Sequence, residues 1–374
     1  LNATICPPAR RHVSRNVIFS ALLAALLLLT AGCAGGPIAA SWAGVSADAH
    51  GLVMADLNRV VRLNATGTER WVFPPASAQS QTQFYAPPAL TEDVVYAGGY
   101  DFKVYAIDRD NGTQIWVNAD AQDRIIAGPA VGHGKVFVGV SNRGVLALNQ
   151  QTGERVWYFE TGHGVWAAPL VLEDAVIVTS LDHFIYALDV DTGEEIWRQD
   201  LLGAVAGTPA YLPGEEGPGV LYVGSFARKL FALSASTGEI LRTFDTRGWL
   251  WDGPALLDGT LYFGDMSGYL YALDAATFDP LWQRQVAADA LRATPLVTPS
   301  HLVIGSRDDR VYTLDRETGA QIWAQPVGAD VLSPPVLLDE DTVVVSTLNP
   351  QTVLIAFAIA DGRQEWTYPP VTGQ

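Results

Sequence analysis

The stretch IYALDVDTGEEIW, residues 185–197, decides the fold. An alternating apolar run leads into an Asp-x-Asp-Thr-Gly cluster, and a second apolar run ends at Trp197. The cluster is either a site for a metal or phosphate, or a bend between two strands. Its other copies separate the two. VYAIDRDNGTQIW begins at Val104, VLALNQQTGERVW at Val145 and VYTLDRETGAQIW at Val311. Looser copies are LFALSASTGEILR from Leu230, LYALDAATFDPLW from Leu270 and LIAFAIADGRQEW from Leu354; VVRLNATGTERW from Val60 is one residue shorter. The acids change, to Asn149-Gln150-Gln151 in one copy and Ser234-Ala235-Ser236 in another, while the Gly stays. A calcium loop cannot lose its carboxylates and remain one. A tight reversal needs Gly for positive φ, and an Asp or Asn that accepts nearby amides. The cluster therefore reads as a turn, and no metal is expected in it. Phe278 replaces the Gly in one copy, with Pro280 after it. Phe at positive φ is costly, so that turn is expected to differ.

The copies end at Trp71, Trp116, Trp157, Trp197, Arg242, Trp282, Trp323 and Trp366, spaced 40 to 45 residues apart. A strand-patterned repeat of that period predicts an all-β, eight-bladed β-propeller of four-stranded antiparallel blades. In the fourth copy the strands are expected at 165–171, 175–180, 184–189 and 195–199, from short β-rich runs between turn residues. No amphipathic helix of useful length follows Cys33. Inserts at 73–82 and 213–219 account for the two longest spacings. The closing Trp is read as structural packing between adjacent blades. Arg242 breaks the pattern, and Leu241 or Phe244 is expected to fill the gap.

Residues 1–33 form a separate segment. Arg10, Arg11 and Arg15 precede a short apolar run, which ends in Thr30-Ala31-Gly32-Cys33. This is the layout of a signal peptide, and the run is too short to span a membrane comfortably. The ending resembles a bacterial lipobox with Cys33 as the lipidated first residue, although Thr30 stands where Leu is usual; a plain signal peptide or a short uncleaved anchor is the alternative. A linker follows at 34–40, and the propeller is expected over 41–374. Cys6 and Cys33 are the only cysteines, so the mature domain has no thiol for a disulfide, thiolate catalysis or a zinc cluster. The net charge is −17, and −20 once the three leader Arg are gone, leaving 20 basic and 40 acidic residues. Such a surface repels phosphate backbones, so no nucleic-acid partner is expected. Membrane attachment then falls to a lipid at Cys33, with the protein exported to the periplasmic side.

The pattern of Tyr222-Val223-Gly224-Ser225, with Tyr186 to Asp189 and Tyr271 to Asp274 before Thr-Gly and Trp, resembles the quinoprotein-type (PQQ-like) repeat β-propeller family. The resemblance covers essentially the whole mature chain, and it is closest to the lipoprotein scaffold of the outer-membrane β-barrel assembly machinery. It implies two functional branches. One is non-catalytic protein binding in the cell envelope, by a monomer or a member of a complex. The other is quinone-dependent dehydrogenase or ligand-sensing work, which would bring PQQ, calcium and an Asp base. Several members of that branch carry adjacent cysteines, and this chain has no such pair. It also has no Gly-x-Ser-x-Gly elbow, His-Glu-x-x-His or phosphate-binding Gly loop. His133, His163, His183 and His301 are scattered and read as solvated or satisfied. No cofactor and no catalytic residue is expected on the first branch.

The residues that break the repeat carry the functional reading. The first strands are framed by Pro88, Pro129, Pro169, Pro209, Pro254, Pro295 and Pro335. Three places before them stand Tyr85, Ile126, Trp166, Ala206, Trp251, Arg292 and Leu332; five places before, Arg124, Trp249 and Asp330 stand out. Aromatic and Arg side chains at a channel mouth suit recognition of a partner or ligand. The alternative is that Trp166 and Trp251 simply plug a wide channel. The expected binding residues are Tyr85, Arg124, Trp166, Trp249, Trp251, Arg292 and Asp330.

Overall fold

The protein is described by a computed structural model over residues 43–75, 82–214, 217 and 219–369. The expected leader, both cysteines and the 34–40 linker lie outside the described residues. Among the described residues every regular element is a strand. The strands form eight separate four-stranded antiparallel sheets, each from four consecutive strands. The blades run over 44–73, 89–118, 130–159, 170–200, 210–245, 255–285, 296–326 and 336–368.

Blade four contains Leu170–Val171, Ala175–Thr179, Phe184–Asp189 and Glu195–Asp200. Its first strand is much shorter than the expected 165–171. The reason lies in where the backbone bonds go. Val165 N–H reaches Val140 O in the preceding blade at 3.1 Å, and Ala168 O accepts from the Thr208 hydroxyl of the next at 2.9 Å. Pro169 has no N–H to give.

The Asp-Thr-Gly turns are hydrogen-bonded as their chemistry predicts. One oxygen of Asp189 accepts from the amides of Asp191 and Thr192 at 3.0 and 2.8 Å, and from the Thr192 hydroxyl at 2.9 Å. Gly193 follows at φ 74°. The Thr192 amide and hydroxyl hold the Asp189 carboxyl below its ordinary value. Asn149 and Asn64 do the same work without a charge. Among the described residues no three His, Cys, Asp or Glu side chains converge to hold a metal.

The turn Gly has a second duty. A Cβ on Gly193 would lie 2.6 Å from the ring of Trp157, which belongs to the preceding blade. The Trp157 indole N–H donates to Val190 O of the same turn at 3.3 Å. Trp71 packs likewise on Gly112, Trp116 on Gly153, Trp197 on Gly238, Trp282 on Gly319 and Trp323 on Gly362. A register shift precedes every closing position and leaves one residue unpaired, such as Val156 or Ile196. Such a bulge re-aims the next side chain and twists the open edge away from further pairing.

The ring closes by the same contact. Gly44–Asp48 pairs with Gly51–Asp56, so the N-terminal segment begins blade one and does not complete blade eight. Trp366 packs on Gly67, and Leu52, Met54 and Val61 share a core with Val344, Leu354 and Ala356. The Tyr368 hydroxyl donates to Glu69 across the seam.

The two irregular residues turn out to be one exception. Where the closing Trp is Arg242, its Nε–H donates to Ala276 O at 3.1 Å, one residue beyond the turn carbonyl that takes an indole at other seams. With no indole over the turn, Phe278 occupies the Gly position at φ 67° and is 7% exposed. Its ring stacks on Tyr222, with centroids 6.0 Å apart. The turn therefore keeps its geometry, against expectation: Phe278 N–H still donates to Asp274 O at 2.9 Å. Phe278 fills the gap, while Leu241 remains half exposed.

Blade one carries a different substitution. Ala106, Ala147 and Ala187 face the closing Trp in their blades, and Arg62 holds that place opposite Trp71. It is buried, and its guanidinium makes two bonds of 2.7 Å to Asp48. Arg109 of blade two reaches the same carboxylate at 2.7 Å. Burial pushes the Asp48 carboxyl up, but the two guanidiniums and the His50 amide outweigh it and hold it below its ordinary value.

Candidate functional site

Extended straps connect the outer strand of one blade to the first strand of the next. Backbone bonds fix them. Arg124 O accepts from Ser141 N–H at 2.9 Å, and Ile125 N–H donates to Gly99 O at 3.2 Å, so one strap stitches blades two and three together. The pattern repeats at Trp249 with Met266 and at Leu250 with Ser225. An extended strap alternates its side chains. Four places before the frame Pro, Ile125, Val165, Leu250 and Leu291 point into the core and are at most 1% exposed. Space is cleared for them: a Cβ on Gly98 would come within 2.2 Å of Ile125.

The next side chain in each strap faces the channel. Tyr85, Ile126, Trp166 and Ala206 come together there with Trp251, Arg292 and Leu332, around a pocket of about 430 Å³. These are the seven residues that vary three places before the Pro. Four of them, Tyr85, Trp166, Trp251 and Arg292, are among the expected binding residues. The centroids of the Trp166 and Trp251 rings are 6.5 Å apart. The Arg292 guanidinium lies over Trp251, 3.7 Å from its centroid, which is cation–π geometry. Burial and the charge of Arg307 pull the Arg292 pKa down, against Asp252 and Asp330.

The other three expected residues take different places. Trp249 does not line the pocket; it stands above it, 47% exposed, and is stacked on Phe226 at 5.6 Å. Phe226 in turn meets Trp251 at 5.3 Å, so an aromatic strip runs from the outer surface into the channel. Arg124 lies over Tyr100, 5.6 Å from its centroid, and Tyr100 packs on Tyr85 at 4.7 Å. Asp330 is bound to Arg307 at 3.0 Å.

Tyr100, Phe226 and Arg307 were not anticipated. They sit in the loops between second and third strands, and a reading confined to the Pro frame passes over them. Asp252 was also missed. Its oxygens accept from the amides of Gly253 and Thr294 at 2.8 and 3.1 Å, while burial raises its pKa.

The model of the family described as outer membrane protein assembly factor BamB matches residues 31–125, 56–180, 100–201, 181–300 and 267–372. A BamB from Marinobacter adhaerens is 30% identical over 145 residues, covering 38% of this chain and 35% of that protein. The chain thus spans little more than a third of that curated relative's length. The crystal structure of BamB from Moraxella catarrhalis has a TM-score of 0.69 at 20% identity, over 83% of this chain and 92% of that one. A quinohemoprotein alcohol dehydrogenase, ADHIIG from Pseudomonas putida HK5, shares the fold with a TM-score of 0.67 at 18% identity, over 82% of this chain and 68% of that one. The family matches overlap from one blade to the next and take in all eight copies of the unit found in the sequence: the chain belongs to the BamB family of PQQ-like repeat propellers.

Proposed function

We propose that the protein is a non-catalytic scaffold that binds a protein partner at the channel mouth, outside the cytoplasm, in the assembly of outer-membrane proteins. A lipid at Cys33 tethers it to a membrane facing the periplasm. One observation carries the reading: the residues that break an otherwise regular repeat converge on one mouth, where an exposed Trp249 leads through Phe226 to Trp251. Exposed, pre-packed aromatics beside Arg are typical anchors of protein interfaces. The names of the BamB relatives support the envelope setting.

The likeness to a quinohemoprotein dehydrogenase keeps a redox reading in view. The residues at the mouth fit it poorly. A calcium-held quinone asks for several free carboxylates. Asp252 is engaged by amides and Asp330 by Arg307. No catalytic step through a quinone is derived for this chain.

The test is capture of envelope proteins by the tagged protein. Trp249→Ala together with Phe226→Ala removes the outer aromatic anchor and is expected to weaken capture at least tenfold, while Ile196→Ala on the outer strand leaves it unchanged. Equal capture by both variants and the parent contradicts the assignment.

A further inference from the structure

The mouth pocket has walls and a cation but no acceptor free to meet that cation. Trp166, Trp251, Tyr85 and Tyr100 supply aromatic surface. Arg292 is held over Trp251 and makes no hydrogen bond or ion pair within 4 Å among the described residues. A guanidinium carries five N–H donors in a planar fork suited to a carboxylate. The two carboxylates whose charges act on it have hydrogen-bond partners already, Asp330 in Arg307 and Asp252 in two amides. The volume, about 430 Å³, lies within the range of small-ligand pockets.

We propose that this pocket binds a carboxylate carried on an apolar, aromatic body, with the body against Trp166 and Trp251 and the carboxylate on Arg292. Two sources share that chemistry: a free aromatic acid, and the C-terminal residue of a polypeptide. The pocket shares Trp251 with the aromatic strip above it, but Trp249 and Phe226 do not line it, so a ligand here is a separate claim from the docking of a partner on the outer strip.

Isothermal titration calorimetry on the full chain tests this with 3-phenylpropionate and its amide, and with the peptide Gly-Ser-Gly-Phe bearing a free or an amidated C-terminus. The acid forms are expected to bind at least tenfold more tightly than their amides, because a charge-assisted bond is lost with the charge. Arg292→Gln removes that preference and leaves the amide affinity unchanged. Trp166→Ala weakens acid and amide alike. Tighter binding of 3-phenylpropionate assigns the site to a free acid; tighter binding of the peptide assigns it to a chain end. Equal affinity of acid and amide for the parent protein, or no heat from any probe at millimolar concentration, overturns the proposal without needing a variant. Calorimetry needs no partner protein, so its failure is distinct from a failed capture.

Discussion

Arg242→Trp and Phe278→Gly, made singly, each lower the stability of the propeller, by about 2 and about 3 kcal/mol, and the double variant recovers at least about 2 kcal/mol of their sum. The coupling follows from one seam. At the other seams a Cβ on the turn Gly would lie 2.4 to 2.8 Å from the indole, too close for any side chain. An indole introduced at position 242 therefore meets the Phe278 ring, and overpacking costs stability. Removing Phe278 leaves Tyr222 without its stacking partner and opens a cavity, and the Arg242 stem does not fill it. Some of that loss is returned, since Gly adopts the left-handed backbone more cheaply than Phe. Together the two changes rebuild the Trp-on-Gly contact found at the other seven seams. Urea midpoints of the four proteins check this, and strict additivity would show that the two positions are independent.

Trp157→Ala is expected to cost about 3–5 kcal/mol, and Trp157→Phe about half as much. The indole is 7% exposed, packs on Gly193, touches the Phe137 ring at 5.6 Å and spends its N–H on Val190 O. Alanine loses the buried area and leaves Val190 O without its donor. Phenylalanine keeps much of the area and loses only the bond. Trp197 is half buried, so Trp197→Ala is the milder substitution. Thermal unfolding of the three variants beside the parent reads the order, and a Trp157→Ala midpoint equal to that of the parent would remove the indole from the seam.

Much of the architecture was legible because propeller blades repeat their errors as well as their rules. Gly153 and Gly193 recur for two reasons at once, positive φ and room for an indole, and either alone would leave the mark seen in the sequence. The exception at Phe278 is visible in the sequence, and so is Arg242, but each reads as a departure within its own blade. Their relation crosses a seam, and the repeat lines up equivalent positions, not touching ones. The first strands were overread at 165–171, where an extended backbone bonds to neighbouring blades in place of a ladder.

The candidate site was half legible. Strap alternation keeps Ile125 and Val165 apolar in the core and frees Ile126 and Trp166 to differ at the channel, so variation against a fixed frame marks the pocket wall. Tyr100, Phe226 and Arg307 reach the same mouth from loops beyond that frame. The signal was present in the sequence: the equivalent loop positions read Tyr100, Ser141, Leu181, Phe226, Met266, Arg307 and Leu348, as varied as the straps they bond to. Nothing in the sequence pairs Asp330 with Arg307, which depends on how a strand-two to strand-three loop lies against the strap that leaves the same blade.

Site-specific photo-crosslinking in the native cell envelope tests the central claim most directly, with a photoreactive phenylalanine placed at Trp249 in one protein and at Ile196 in another. A discrete protein adduct from position 249, and none from the outer strand at 196, is the predicted result. Adducts from 196 with none from 249 would put the working surface on the blade edges and contradict the account.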